Sequence, residues 1–516
     1  MFRSRGLSHV VLLSLVGMPL WSAGCSNASD AAFDHRDAGA LEDAVTDASA
    51  DDAVRDGFTN DGGVDATSDA PDEGSAHKGL FDLVSIRDAS TANCTLTNKH
   101  IAVKDGVALD VWNISYASWE SVDGTLRPIL IRGFVARPSG GNGGVLPGVV
   151  QAHGLGGFAQ ESHATGLAAL LGTYALAYTG PGGGTEPSNT SEGKPSADAN
   201  GYRMFDTLKD VRGSWFWAHT VAGLRGLTCL ETLPDVDPRR LGMTGFSAGG
   251  VATLMGSGAD DRILAAVPLS GTGAWSIATQ SPTAWQHALL TKAGLTTQSP
   301  EWTTLQERLI DPVPFVGSSS AKILMVNGST DEFFPLPAHI ATFNAIPGTG
   351  KRTSIAGNFD HGCYKVSGVE SASTIEDRAS IHAAGGQRAW FRHWFATDAN
   401  YAHLPDAPGL RLTPMGDVTS VQATVDTAGP LVVEEVKFWW SNDDSFVYGN
   451  VALDAKGGGR YEKLVPVPLQ PNTVSYVDVQ YKTTNNLISP ERFAISSLPT
   501  FPSTVVPHIR SVTNCL

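Results

Sequence analysis

From about Leu80 to Asn400, short apolar runs alternate with longer amphipathic stretches. "RPILIRGFVARP" (127–138), "LPGVVQAHG" (146–154), "TYALAYTGPGGG" (173–184), "RRLGMTGFS" (239–247), "ILAAVPLSG" (263–271) and "AKILMVNGSTD" (321–331) have strand length and end at turn-forming residues. Such continuous apolar runs suit strands buried on both faces. Between them, residues 211–234 place Val221, Leu224, Leu227 and Leu230 at helical spacing. "AGGVATLMG" starts another helix, and residues 378–396 close the region with a third. Strands alternating with helices predict βαβ units and a mostly parallel sheet with helices on both faces, over residues 80–404. From about Pro405 the helical spacing stops. Short runs such as "EEVKFWWSN" and "TVSYVDVQYKT", rich in β-branched and aromatic residues and separated by turn signals, predict an all-β sandwich of immunoglobulin or fibronectin type over 405–516.

The first 78 residues follow neither pattern. Arg3 and Arg5 precede an apolar run from Val10 to Trp21, too short to span a bilayer as a mature helix. Small residues then lead into Cys25, which reads as an export signal over residues 1–25. "WSAGC" resembles a bacterial lipobox, with Ser22 where that motif usually has leucine. The resemblance implies lipidation of Cys25 and anchoring to an outer-membrane or cell-surface lipid. Cleavage at the small residues with plain secretion, or a periplasmic location, is the other reading. Residues 26–78 are rich in Asp, Ala, Gly and Ser and hold too little apolar surface to offset the entropy of ordering, so they are expected to form a disordered acidic tether.

Charge narrows the partners. The chain carries a formal net charge of −16, and the stretch from Asp30 to Glu73 alone holds 14 acidic and 2 basic residues. No Lys/Arg cluster supplies the footprint a nucleic acid would need. The acidic stretch lacks the spacing of a twelve-residue calcium loop, no His/Cys cluster has metal-ligand spacing, and the glycine-rich "GPGGG" lacks the lysine of a phosphate loop. Neither a metal nor a cofactor is implied.

The chemistry gathers at strand ends. Gly245-Phe246-Ser247-Ala248-Gly249 is G-x-S-x-G between a strand and a helix, the setting of a nucleophile elbow. A serine nucleophile needs a base, and the base needs an acid to orient it. "ILMVNGSTDEFF" ends a strand and offers Asp331, with Glu332 beside it; "SIAGNFDHGCY" offers His361 after another strand, with Asp360 as a further acid. The order Ser, Asp, His and the shared strand-tip placement favour Ser247, Asp331 and His361. For the oxyanion, "QAHGLGG" (151–157) offers the Leu155 N–H, with Gly156 as the second choice, and Ala248 supplies the other donor. His153 reads either as part of that loop's chemistry or as a structural histidine. Residues 180–205 form a long polar loop, and residues 272–320, with Trp275, Trp285 and Trp302, form an insertion. Both are placed to act as lids. Trp215, Phe216 and Trp217 would either line a pocket or pack on the sheet.

These motifs carry a resemblance. With "PGVVQAHGLGG", "DVDPRRLGMTGFSAGG", "ILMVNGSTDEFFP" and "FDHGC", residues ~120–400 look like the α/β-hydrolase superfamily, and within it resemble acetyl-xylan-esterase-like, dienelactone-hydrolase-like and prolyl-oligopeptidase-like catalytic domains. The resemblance implies a serine hydrolase acting through an acyl-enzyme on esters, small or polymer-linked, with short-chain or acetyl esters foremost. A peptidase or amidase on the same scaffold, or a binding protein with a degenerate hydrolase domain, are the alternatives. No N-terminal propeller of the oligopeptidase kind is expected from this sequence, which disfavours the peptidase reading.

Five cysteines complete the sequence. With Cys25 consumed, the remaining four allow three pairings, and export permits disulfides. Cys94 opens the folded part and Cys515 nearly ends it, so a Cys94–Cys515 bridge is the expected one. Cys229 falls late in a helix that runs away from the strand tips where Cys363 belongs, and is expected to be a buried apolar filler.

Overall fold

The computed structural model describes residues 79–502, except 141–143, 199–200, 203–209, 281–284, 293, 301, 303–310, 362–369, 443–446, 467–469, 471 and 485–490. The export signal with Cys25, the acidic tether, Cys363 and Cys515 therefore lie outside the described residues.

An antiparallel meander comes first: β1 (Thr95–Lys104), β2 (Val107–Val122) and β3 (Thr125–Pro138). β1 and β2 are not marked by apolar runs, because β1 is largely exposed and β2 alternates between buried and half-exposed positions. β4 (Leu146–Ala152) and β5 (Tyr174–Tyr178) follow, with the helix α1 (Glu161–Leu171) between them. A small hairpin of β6 (Ala197–Asp198) and β7 (Gly201–Tyr202) stands apart. Then come α2 (Trp215–Glu231), β8 (Val236–Phe246), α3 (Ala248–Ala259), β9 (Ile263–Leu269), β10 (Lys322–Gly328), α4 (Leu336–Ala345) and β11 (Lys351–Ala356). β5, β4, β8, β9, β10 and β11 lie side by side, all parallel. This is the doubly covered sheet expected from the alternation of strands and helices.

Strand periodicity divides the core in two. Val150, Leu176, Ile323 and Met325 face one cluster with Leu224 and Leu227 of α2 and Val251 and Leu254 of α3. Their neighbours Val149, Ala175, Leu324 and Val326 face the other, with Leu167 of α1 and Ile375 of α5 (Ala372–Ser380) and Trp390 and Phe391 of α6 (Gly386–Trp394). Successive strand residues point to opposite faces, so an apolar run without alternation must be covered on both.

The C-terminal strands are β12 (Gly409–Met415), β13 (Val418–Thr424), β14 (Val432–Ser441), β15 (Gly449–Ala452), β16 (Asp454–Gly457), β17 (Arg460–Val465), β18 (Val474–Lys482) and β19 (Arg492–Ser496). β12, β13, β17 and β16 make a separate four-stranded sheet. Val421, Ala423 and Val465 of that sheet share a core with Val436, Phe438, Val477 and Val479 of β14 and β18, which gives the region its sandwich character. The facing sheet, β19-β18-β14-β15, is not closed on itself. It continues the central sheet through an antiparallel contact of β19 with β11, Thr353 opposite Ser496, so thirteen strands run in one order. Buried side chains reinforce the join: His382 Nδ1 lies 2.7 Å from Ser354 Oγ, which donates to Ala494 O, and Ser496 Oγ donates to Asp478.

The disulfide differs from expectation. Cys94 pairs with Cys229, so Cys94 is not bridged to Cys515 and Cys229 is not an apolar filler. The cause lies in the segment before β1, which wraps along α2. Fully buried Arg225 of α2 donates to the carbonyls of Ser85, Ile86, Asp88 and Ala117, and its guanidinium lies over the Trp119 ring. That clamp brings Cys94 against the last turn of α2.

The bridge joins positions 135 residues apart. Replacing Cys229 with serine is expected to lower unfolding free energy by about 2–5 kcal/mol, mainly by freeing the unfolded chain. The urea midpoint of the variant against the parent, with and without reductant, measures it; reductant should shift only the parent.

Candidate functional site

Ser247 sits between β8 and α3 with φ 59° and ψ −119°. Left-handed φ in a non-glycine residue is strained and persists only where the surroundings impose it. Here the strand ends and the helix begins within one residue, while the Ser247 N–H is held by Leu269 O at 2.9 Å. The turn leaves almost no room. A Cβ on Gly249 would stand 2.2 Å from Ala152 O, and one on Gly245 would stand 2.6 Å from the same atom. The small residues of "TGFSAGG" are therefore required by the backbone of β4 pressing on the elbow.

The structure brings Ser247, His361 and Asp331 together. Ser247 Oγ is 2.9 Å from Nε2 of His361, and Nδ1 of His361 is 3.0 and 3.1 Å from the two Asp331 oxygens. The carboxylate fixes the proton on Nδ1, leaving Nε2 to accept the serine proton. Asp331 is itself held, since its Oδ1 accepts the N–H groups of Phe333 and Phe334 at 3.0 and 2.8 Å. The rings of Phe246, Phe333 and Phe334 surround the imidazole, with centroids 4.8, 4.5 and 5.6 Å away.

Asp331, favoured by the sequence, and its competitors Glu332 and Asp360 have separate positions. Asp331 faces Nδ1. Glu332 accepts the main-chain N–H of His361 at 3.0 Å, and Asp360 is buried beside it. Burial, with Asp360 and Asp331 adding repulsion, pushes the Glu332 carboxyl up to about 8. Burial acts to lower the basicity of His361, but Asp331, followed by Glu332 and Asp360, outweighs it and raises the imidazole above its ordinary 6.5.

Loops after β10 and β11 carry these groups, and they are stitched to each other. Thr330 donates through both N–H and Oγ1 to Phe359 O, and Ser329 Oγ accepts the Asn358 N–H at 2.8 Å. The C-terminal strands add support that the sequence did not disclose. Asn358 exchanges hydrogen bonds with the Tyr448 main chain, both at 2.9 Å, and Trp439 packs so closely on Gly357 that a Cβ there would lie 2.5 Å from its ring.

The loop after β4 approaches from the other side. A Cβ on Gly154 would be 3.3 Å from that of Ser247. Among the described residues, the N–H groups of Leu155 and Ala248 have no acceptor, whereas the Gly156 N–H, the second choice for an oxyanion donor, is directed to Ser196 Oγ at 3.3 Å. Ser196 belongs to the polar loop 180–205, so that loop reaches the site. Trp215, Phe216 and Trp217 are buried in the core, as are Trp275 and Trp302, and Trp215 also borders a small cavity beside Pro181 and Arg212; the Trp285 side chain is outside the described residues. Among the described residues, no group of three or more His, Cys, Asp or Glu side chains could hold a metal ion.

Residues 124–368 match the family model of acetyl xylan esterase (AXE1). That segment spans every strand carrying the Ser247, Asp331 and His361 loops. The catalytic domain is an α/β-hydrolase. The α/β-hydrolase chain is, moreover, a serine hydrolase of carboxylesterase type. Among solved structures, it is similar to an acetyl xylan esterase from Paenibacillus sp. R4, at 17% identity over 59% of this chain and 92% of that one, with a TM-score of 0.47. It is also similar to acetyl xylan esterase 1 from Thermoanaerobacterium sp. JW/SL YS485, at 16% identity over 60% of this chain and 92% of that one, TM-score 0.43. A third, ferulic-acid-bound Est1E from Butyrivibrio proteoclasticus, shares 17% identity over 58% of this chain and all of that one, TM-score 0.36. Among curated proteins none matches the chain.

The packing of β4 on the elbow gives a direct test. Gly249→Ala forces a Cβ into the Ala152 carbonyl, and overpacking of this kind costs about 1–3 kcal/mol. The urea midpoint should fall accordingly and esterase activity should fall with it, while Gly144→Ala, where the added Cβ meets no atom within 4 Å, should leave both unchanged.

Proposed function

We propose that the protein is an exported serine carboxylester hydrolase working on short-chain or acetyl esters. The observation that carries this reading is the continuous hydrogen-bond chain from Ser247 through His361 to Asp331, with the serine held in strained backbone at the elbow. In the proposed cycle Ser247 Oγ attacks the ester carbonyl while His361 Nε2 takes its proton. Asp331 keeps the imidazole in the right tautomer and stabilises the imidazolium. The N–H groups of Leu155 and Ala248 receive the developing oxyanion. His361 then returns the proton to the leaving alcohol, and water, deprotonated by the same histidine, releases the acid and restores the serine. The acetyl ester preference is supported by the matched family's name.

Export rests on the sequence of residues 1–25, and the surface anchor on Cys25. Among the described residues no helix is long and apolar enough to cross a membrane. Cys25→Ser, expressed in a Gram-negative host, is expected to move the protein from the membrane fraction to the soluble periplasmic or secreted fraction. Equal partition of parent and variant would contradict lipid anchoring.

Ser247→Ala should reduce hydrolysis of p-nitrophenyl acetate at least ~10⁴-fold with the circular dichroism spectrum unchanged. In the parent, rates should fall as the acyl chain lengthens and X-Pro amides should be inert; faster amide cleavage would point to a peptidase. The base must be unprotonated, so a raised imidazole puts the acid limb of kcat/KM above 6.5, the ordinary histidine value. An acid limb below that value would contradict the electrostatic account of His361.

A further inference from the structure

His153 stands directly before Gly154, at the carboxyl end of β4, and is half-buried. His219 lies 4.8 Å from it, centroid to centroid, and Trp215 stacks on His219 at 4.4 Å. Its Nε2 accepts the Gly180 N–H at 2.7 Å, so Nε2 carries no proton. The proton is then on Nδ1, which lies 2.6 Å from Gly154 O and donates to it. Burial pushes this imidazole down to about 4, against the opposing hydrogen bond to Gly154 and with His163 acting in the same direction as burial, so it is neutral at pH 7. From behind, His219 Nε2 donates to the His153 carbonyl at 3.3 Å, and Tyr178 fixes the His219 carbonyl at 2.8 Å.

Gly154 O also accepts the Gly157 N–H at 3.1 Å. Two donors thus hold one carbonyl on the imidazole side. In a planar trans peptide the C=O of residue 154 and the N–H of residue 155 point in opposite directions. The Leu155 N–H is therefore turned away from His153, on a loop whose Gly154 abuts Ser247. Gly154 itself could adopt either peptide orientation at little cost, since glycine is conformationally permissive.

We propose that His153 is a positioning residue of the oxyanion site: its Nδ1–H locks the Gly154–Leu155 peptide in the orientation that presents the Leu155 N–H to the acyl oxygen. It touches no substrate atom and acts only through that peptide. The inference rests on the esterase reading of the site. It also explains why the residue before the glycine must combine a short-range donor with an acceptor on its far side, a pair that a neutral imidazole supplies at a fixed separation.

Two substitutions separate the two ring nitrogens. The amide nitrogen of His153→Asn falls near Nδ1 and keeps the donor to Gly154 O. His153→Gln reaches the Nε2 position and keeps the acceptor for Gly180 while losing the donor. His153→Gln should lower kcat for p-nitrophenyl acetate on the order of 10²-fold, the cost of one oxyanion donor. KM should stay within a few-fold, and affinity for phenylboronic acid, which forms a tetrahedral serine adduct, should fall in parallel with kcat. His153→Asn should recover most of both. Equal kcat in the two variants, or an unchanged boronate affinity in His153→Gln, would overturn the proposal. Parent protein inert toward the ester would instead defeat the esterase reading. Should both variants fail to fold, ¹⁵N-histidine NMR of the parent decides: a neutral, Nδ1-protonated His153 at pH 7 supports the proposal, and the Nε2-protonated tautomer or an imidazolium overturns it.

Discussion

The left-handed backbone of Ser247 is the constraint on which the rest of the site depends. A residue forced to φ 59° between a strand and a helix must be held from several directions. Leu269 O holds its N–H, β4 presses on Gly245 and Gly249, and the tip of β9 presses on Gly250, where a Cβ would stand 2.8 Å from Leu269 O. The reward for this crowding is placement. The serine hydroxyl stands clear of the sheet, His361 reaches it from the loop after β11, and the Gly154 loop reaches it from β4. Three parallel strands and their neighbours thus converge on one oxygen atom, at the sheet edge where open α/β folds place their ligands.

How much of this was legible in the sequence follows from how local each signal is. The elbow was, because its glycines and its flanking strand and helix lie within a dozen residues. So was the spacing of Asp331 and His361 after their strands. Order and strand-tip placement favoured Asp331 over Glu332 and Asp360; what was not local is how the two loops cross, where the Asp331 carboxylate faces the imidazole and Glu332 takes the His361 main-chain N–H. The disulfide was misread for a related reason. Cys94 and Cys229 meet because Arg225 gathers a preceding segment onto α2, and a buried arginine satisfied by main-chain carbonyls leaves no charge pattern to read.

The C-terminal strands show another limit. Their short aromatic runs announced a sandwich, and the facing sheets bear that character. What alternation and turn spacing do not encode is where a sheet ends. β19 adds to β11, and the strands beyond it carry Trp439 and the Tyr448 main chain against Gly357 and Asn358, just ahead of His361. This region therefore helps to fix the loop bearing His361, and its removal would expose an edge of the central sheet as well as loosen that loop.

The central claim is that one serine, and this one, is activated. Treating the protein with a fluorophosphonate and mapping the adduct by peptide mass spectrometry tests it most directly, because the reagent reacts with a serine only when a base and an oxyanion site are assembled around it. The account predicts a single adduct, on the peptide bearing Ser247. An unlabelled protein, or an adduct confined to another serine, would contradict it.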